Sequence, residues 1–273
     1  MKEEFLKNIL LKQQQKEQVP SNKVIANWAS RLICILYPEM SKCNYPTRDT
    51  IEAELEKLQQ ELKHLLDATK ACNNCDHHKV AKDFFSQLPE LYRILNTDIE
   101  AIHQGDPAAK NEFEVIRAYP GFYALCFYRI AHALHQLDVP LLPRILTEYA
   151  HSKTGIDIHP AAKIGEYFMI DHGTDVVIGE TSVIGNHVKM YQGVTLGGLS
   201  IDKSMARQKR HPNIEDNVVI YSGATILGGD TLVGEGSVIG GNVWLTQSVP
   251  PGSLVFQVPQ ITIVENKFVN NNV

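Results

Sequence analysis

A six-residue period governs the second half of the chain. Ile158, Ile164 and Ile170 step by six, as do Ile178, Ile184, Met190 and Leu196, and then Ile214, Ile220, Ile226, Leu232 and Val238. An aliphatic residue followed by glycine recurs on the same track, as in Ile164-Gly165, Ile178-Gly179, Ile184-Gly185, Leu196-Gly197, Leu227-Gly228, Val233-Gly234 and Ile239-Gly240. Neither the 3.6 period of a helix nor the 2.0 period of a strand produces this. A hexapeptide period means three short flat strands per coil, with each aliphatic side chain pointing to the axis of a parallel β-helix. Glycine and asparagine suit the corners, where the backbone needs positive φ. Spacing alone leaves the hand of the coil open.

The first half reads as helical. Asn22 to Leu36 carries an apolar face through Val24, Ile25, Trp28, Leu32 and Ile35. Residues 49–68 open with Asp49 and Glu52 at capping-box spacing and continue with Ile51, Leu55, Leu58, Leu62 and Leu65. Further helical segments are expected at 79–88, 90–104 and 108–117, and at Tyr119–Leu137 and Leu141–Ser152, with Pro120 and Pro140 near the starts of the last two. The expected organisation is a helical domain over 1–153, a hexapeptide-repeat β-helix over 154–260 with an extruded loop at 197–211, and a short tail at 261–273. That loop has no aliphatic period and holds Lys203, Arg207, Lys209 and Arg210. Long loops leaving a rigid repeat often carry function.

Composition narrows the function. A net charge of −5 argues against nucleic-acid binding. No apolar run approaches the roughly 18 residues of a membrane span. The opening MKEEFLKNILLKQQQ is polar-striped and lacks the apolar core of a signal peptide, so cytoplasmic residence is expected. All five cysteines lie between Cys34 and Cys126, and they read as thiols of a reducing compartment. The repeat half therefore has no cysteine nucleophile or thiolate ligand of its own. Cys72-Asn73-Asn74-Cys75-Asp76-His77-His78 has zinc-like spacing, but it lies in one short linker with no second distant pair. It reads as an exposed linker, and no metal is expected.

Histidines beside charged residues are the candidate chemistry: Asp157-Ile158-His159, Asp171-His172 and Arg210-His211. A carboxylate that holds an imidazole fixes its tautomer and stabilises the imidazolium. Neighbours on one strand point opposite ways, so Asp171 and His172 are not expected to pair. Asp157 lies fifteen residues before His172, near one coil of eighteen, which makes it the better orienting partner. No G-x-S-x-G elbow, Walker loop or G-x-G-x-x-G occurs. Direct attack by a hydroxyl or amine on a bound thioester is the simplest chemistry for such a base.

Over roughly residues 95–260 the chain resembles bacterial serine acetyltransferases. The resemblance rests on Asp157-Ile158-His159-Pro160-Ala161-Ala162-Lys163-Ile164-Gly165, Asp171-His172, Val177-Ile178-Gly179-Glu180-Thr181, Val194-Thr195-Leu196-Gly197-Gly198 and Arg210-His211-Pro212. It implies an all-α N-terminal domain followed by a left-handed parallel β-helix, assembled as a homotrimer or a dimer of trimers. It further implies transfer of acetyl from acetyl-CoA to L-serine in cysteine biosynthesis, with no metal. His172 would be the catalytic base and Asp157 its dyad carboxylate. Asp106 and Asp171 would hold the substrate ammonium, and Arg210 and His211 its carboxylate. Gly198, Ser222 and Gly241 would contact the coenzyme, the Gly198 amide facing the thioester oxygen. Feedback by cysteine and docking of O-acetylserine sulfhydrylase on the tail are also implied. Two departures stand out: Gln257-Val258-Pro259-Gln260 replaces the family's Gly-Val-Pro-Ala, and the chain ends in Val273 rather than isoleucine. Three other readings stay open. One is a hexapeptide acetyltransferase with another hydroxyl acceptor. Another is a γ-type carbonic anhydrase using three of His159, His172, His187 and His211. The third is a non-enzymatic scaffold that docks a sulfhydrylase.

Overall fold

The computed structural model describes residues 2–16, 19–40, 44–69, 76–199 and 208–258. The linker cysteines Cys72 and Cys75, loop residues Lys203 and Arg207, Pro259, Gln260 and the tail 261–273 lie outside the described residues.

The helices are α1 (Lys2–Gln14), α2 (Asn22–Leu36), α3 (Arg48–Asp67), α4 (His77–Ser86), α5 (Leu88–Gly105), α6 (Glu112–Ala118), α7 (Pro120–Gln136) and α8 (Leu142–Thr154). The cap of α3 differs from expectation. Thr47, not Asp49, is the N-cap, and its side chain forms a reciprocal capping box with Thr50. The helical core gathers Trp28, Leu32, Leu58, Leu62, Phe84, Leu95 and Phe127, and the Trp28 indole donates to the Leu58 carbonyl at 2.9 Å. Cys126 is a buried free thiol, whereas Cys34 is disulfide-bonded, which corrects the expectation of five thiols. No described helix is long and apolar enough to cross a membrane.

From Asp157 onward, two- and three-residue strands stack in parallel as the three faces of a left-handed β-helix. The first face runs β1 (Asp157–Ile158), β4 (Val177–Ile178), β7 (Thr195–Gly197), β10 (Thr225–Leu227) and β13 (Trp244–Leu245). The second holds β2 (Lys163–Ile164), β5 (Val183–Ile184), β8 (Asn213–Ile214) and β11 (Leu232–Val233). The third holds β3 (Met169–Ile170), β6 (Lys189–Met190), β9 (Val219–Ile220), β12 (Val238–Ile239) and β14 (Leu254–Val255). The register aligns the periodic aliphatics: Ile158 on Ile178, Ile164 on Ile184, and Ile170 on Met190. These inward side chains are buried, which removes the choice of any other register without exposing the whole set.

α7 joins the two halves. Phe122, Cys126 and Phe127 face the helical core, while Ala124, Leu125 and Tyr128 belong to the core of the β-helix. Burial on both sides explains its near-continuous apolar sequence. The joint is polar at its centre. The buried Arg129 guanidinium pairs with the fully buried Asp98 at 3.0 Å and donates to the carbonyls of Ile164 and Gly165. Asp98 in turn accepts the Phe168 amide at 3.0 Å. Arg129→Ala leaves that buried carboxylate without its counter-charge and the two carbonyls without their guanidinium donor. It should cost about 3–5 kcal/mol, measurable by denaturant unfolding. A loss below about 1 kcal/mol would mean the pair does not hold the joint.

Candidate functional site

A bulge displays His172. Between the third and first faces, the upper coils turn in four residues, Tyr191–Val194 and Tyr221–Ala224. The first coil takes six, Asp171–Val176. The extra length is accommodated by left-handed backbone at His172 (φ 55°) and Gly173 (φ 84°). His172 is therefore thrust out, with 70% of its side chain exposed. A side chain at Gly173 would strike Ile156, so the bulge needs glycine there both for φ and for space.

The bulge also corrects the strand-alternation argument. Asp171 and His172 lie beyond the end of β3, where alternation no longer applies, and His172 Nε2 sits 3.6 Å from Asp171 Oδ2. Asp106, the C-cap of α5, approaches from the helical half near enough to act electrostatically on His172. The hydroxyl of Tyr119 donates to Asp106 Oδ2 at 2.5 Å, and the Ala108 amide donates to Oδ1 at 2.8 Å. The Tyr119 bond, then that amide, hold the Asp106 carboxyl below its ordinary range. One imidazole and two carboxylates thus share this corner. Ser222 and Gly241 lie above them on the same corner, joined through the Asn242 amide to the Ser222 carbonyl at 2.9 Å.

Asp157 lies on the outer face of β1. Its carboxylate is 4.0 Å from the Arg144 guanidinium, and it clusters with Glu148 and His151. No hydrogen bond joins it to His172 among the described residues. The bulge lengthens the first coil, so Asp157 pairs with Val177, twenty residues on, where Val177 pairs with Thr195, eighteen on.

Arg210, His211 and Gly198 occupy a different corner, between the first and second faces. Thr181 is its hub: its hydroxyl accepts the amides of Arg210 and His211 at 3.0 Å each, and its own amide donates to His211 Nδ1 at 3.0 Å. That leaves the His211 Nε2–H as a donor. Arg210 pairs with Glu180. Burial, the largest single cause, pushes Glu180 up, but the Arg210 bond together with the charges of His159, Arg210 and His211 holds the carboxyl below its ordinary value. Only glycine fits at 179, since a Cβ there would lie 2.0 Å from the His211 ring. Gly198 follows β7 on this same corner.

One chain therefore gathers Asp106, Asp171, His172, Ser222 and Gly241 on one corner, and Gly198, Arg210 and His211 on another. Tyr119 and Glu180, the partners that fix Asp106 and Arg210, were not legible as site residues. The four histidines of the carbonic-anhydrase alternative divide among all three corners. His159 and His211 are on one, His172 is on the next, and His187 is stacked on Tyr167 at 4.3 Å on the third.

Burial, the larger cause, lowers both His159 and His211 to about 4. An ordinary histidine near 6.5 takes its proton earlier, so between about 6.5 and 4 the unfolded chain binds more protons than the folded one. Stability is expected to fall as pH drops through that window. Thermal melts should show the loss, and His159→Gln with His211→Gln should flatten its upper part. An unchanged slope in the double variant would contradict the assignment.

A helical domain followed by a left-handed β-helix, with an outward histidine beside carboxylates, fits an acyltransferase. The family model for the serine acetyltransferase N-terminal region matches residues 48–126. A serine acetyltransferase of Synechococcus elongatus is 47% identical over 237 residues, 81% of this chain and 74% of that protein. One of Bacillus subtilis is 46% identical over 176 residues, 64% of this chain and 79% of its own. Serine acetyltransferase 1 of Entamoeba histolytica in complex with L-cysteine superposes with a TM-score of 0.76 at 38% identity, covering 84% of this chain and 86% of that one. The Neisseria gonorrhoeae enzyme in complex with serine gives 0.61 at 28% identity, over 87% and 93%. The chain belongs to the serine acetyltransferase family, and its activity is acetylation of serine.

Proposed function

We propose that acetyl-CoA is the donor, that His172 is the general base, and that the site is completed between two subunits. The observation that carries this reading is the bulged corner, where His172 stands 3.6 Å from Asp171 and within electrostatic reach of Asp106. The two carboxylates take the serine ammonium, which brings the serine hydroxyl to the imidazole. His172 accepts the hydroxyl proton as the oxygen attacks the thioester carbon. The carbonyl oxygen becomes an oxyanion facing the Gly198 amide, a contact worth roughly 3 kcal/mol of barrier. Collapse breaks the C–S bond, and the imidazolium returns its proton to the leaving CoA thiolate. Asp157, which makes no hydrogen bond to the ring among the described residues, is assigned to orient it through charge. Ser222 and Gly241 border the coenzyme path, and no metal enters.

Arg210 and His211 are assigned to the serine carboxylate, with the planar guanidinium fork matching it. Their corner is not the His172 corner, so the partner subunit's copy supplies them. A convex prism does not enclose a pocket by itself, whereas two prisms side by side do. A homotrimer closes this arrangement, alone or as a dimer of trimers. L-cysteine carries the same ammonium and carboxylate as serine, so it is assigned to the same anchors as a feedback inhibitor, in keeping with the L-cysteine complex of the Entamoeba relative. Docking of O-acetylserine sulfhydrylase on the tail 261–273 and cytoplasmic residence complete the reading.

The test is thiol release from acetyl-CoA against a panel of hydroxyl acceptors. L-serine should be preferred, and L-cysteine should compete with it. A preference for a sugar hydroxyl, or cysteine inhibition that serine does not relieve, would overturn the assignment.

A further inference from the structure

Tyr119 stands at a junction that neither the repeat pattern nor the paired acids account for. It is the N-cap of α7, between α6 and α7, and its ring packs half-buried against the helical core. Two residues on, Gly121 lies so close to β3 that a Cβ would meet the Ile170 carbonyl oxygen at 2.3 Å. Ile170 is the last residue before Asp171 and His172. The start of α7 is thereby pressed on the base of the bulge, and Tyr119 is carried to the place where the helical half meets the site.

Among the described residues its hydroxyl has one partner, Asp106 Oδ2, at 2.5 Å. Asp106 ends α5 in extended backbone, and its other oxygen is taken by the Ala108 amide. Without the phenol, the carboxylate keeps one tether within its own turn and none to α7. With it, the carboxylate is fixed to the element that abuts the bulge. Tyr119 is also close enough to feel Asp171. A hydrogen bond to an ionised group is among the stronger neutral-to-charged contacts, and it restricts direction as well as adding energy.

We propose that Tyr119 is a positioning residue for acceptor recognition, its hydroxyl setting the Asp106 carboxylate at the angle that meets an amino-acid ammonium beside His172. This rests on the assignment of Asp106 to that ammonium. The predicted specificity is for acceptors with a free α-ammonium. The phenol itself touches no reacting atom.

Tyr119→Phe removes one oxygen and keeps the ring in the core. Serine KM should rise about three- to tenfold, with kcat and the acetyl-CoA KM nearly unchanged. Asp106→Asn and the double variant complete a cycle. Once Asp106 is changed, Tyr119→Phe should add nothing, because the two act as one unit. If Asp106→Asn raises serine KM and Tyr119→Phe does not, the role of Tyr119 is refuted while the ammonium site stands. If Asp106→Asn leaves serine KM unchanged, the ammonium assignment itself fails. Equal effects of Tyr119→Phe with and without Asp106 would also refute the inference. A thermal melt of Tyr119→Phe matching the parent shows that the KM change is not partial unfolding.

Discussion

His172→Ala is expected to lower turnover at least about a hundredfold, the scale on which a general base contributes. The protein should stay folded, because the ring projects into solvent and holds no core together. The backbone at this position is left-handed, which favours a short replacement no more than histidine, so His172→Asn is the companion variant. Both should lose turnover alike. Asp157→Asn should cost less than either, since the imidazole remains. Near-parent turnover in a folded His172→Ala protein would remove the base.

Arg210→Ala is expected to raise the serine KM about ten- to hundredfold, as loss of a charge-assisted contact to a carboxylate does. The acetyl-CoA KM should move little. Glu180 loses its partner in this variant but is partly exposed, so the fold should tolerate the change. Equal effects on both substrates would assign Arg210 to the coenzyme instead.

How much of this was legible in the sequence depends on the range of the interaction. The inward aliphatics were legible because each is a local choice repeated at one spacing. The bulge was half legible. Ile158, Ile164 and Ile170 step by six, and the next aliphatic of that track, Ile178, comes eight later. Those two added residues are what free Asp171 and His172 from strand alternation. The α3 cap was misplaced by two residues because Thr47 and Asp49 are both good caps, and only the backbone decides between them. The Asp98–Arg129 joint and the Tyr119–Asp106 bond were not legible, since each joins residues from different helices whose packing no local period encodes. Which corners hold Arg210 and His172 needed the coil count, which the bulge and the loop after Gly197 both alter.

Mixing the two impaired proteins tests the shared site most directly. A His172→Ala subunit keeps Arg210, and an Arg210→Ala subunit keeps His172. Under subunit exchange at equal amounts, about one interface in four of a closed ring joins the two intact residues. Thiol release at low serine should recover toward that fraction, from a baseline at which neither parent variant is active. If both residues served one site within one chain, every site would keep a lesion. Absence of recovery, with exchange proven by mass-tagged subunits, would contradict a site built between chains.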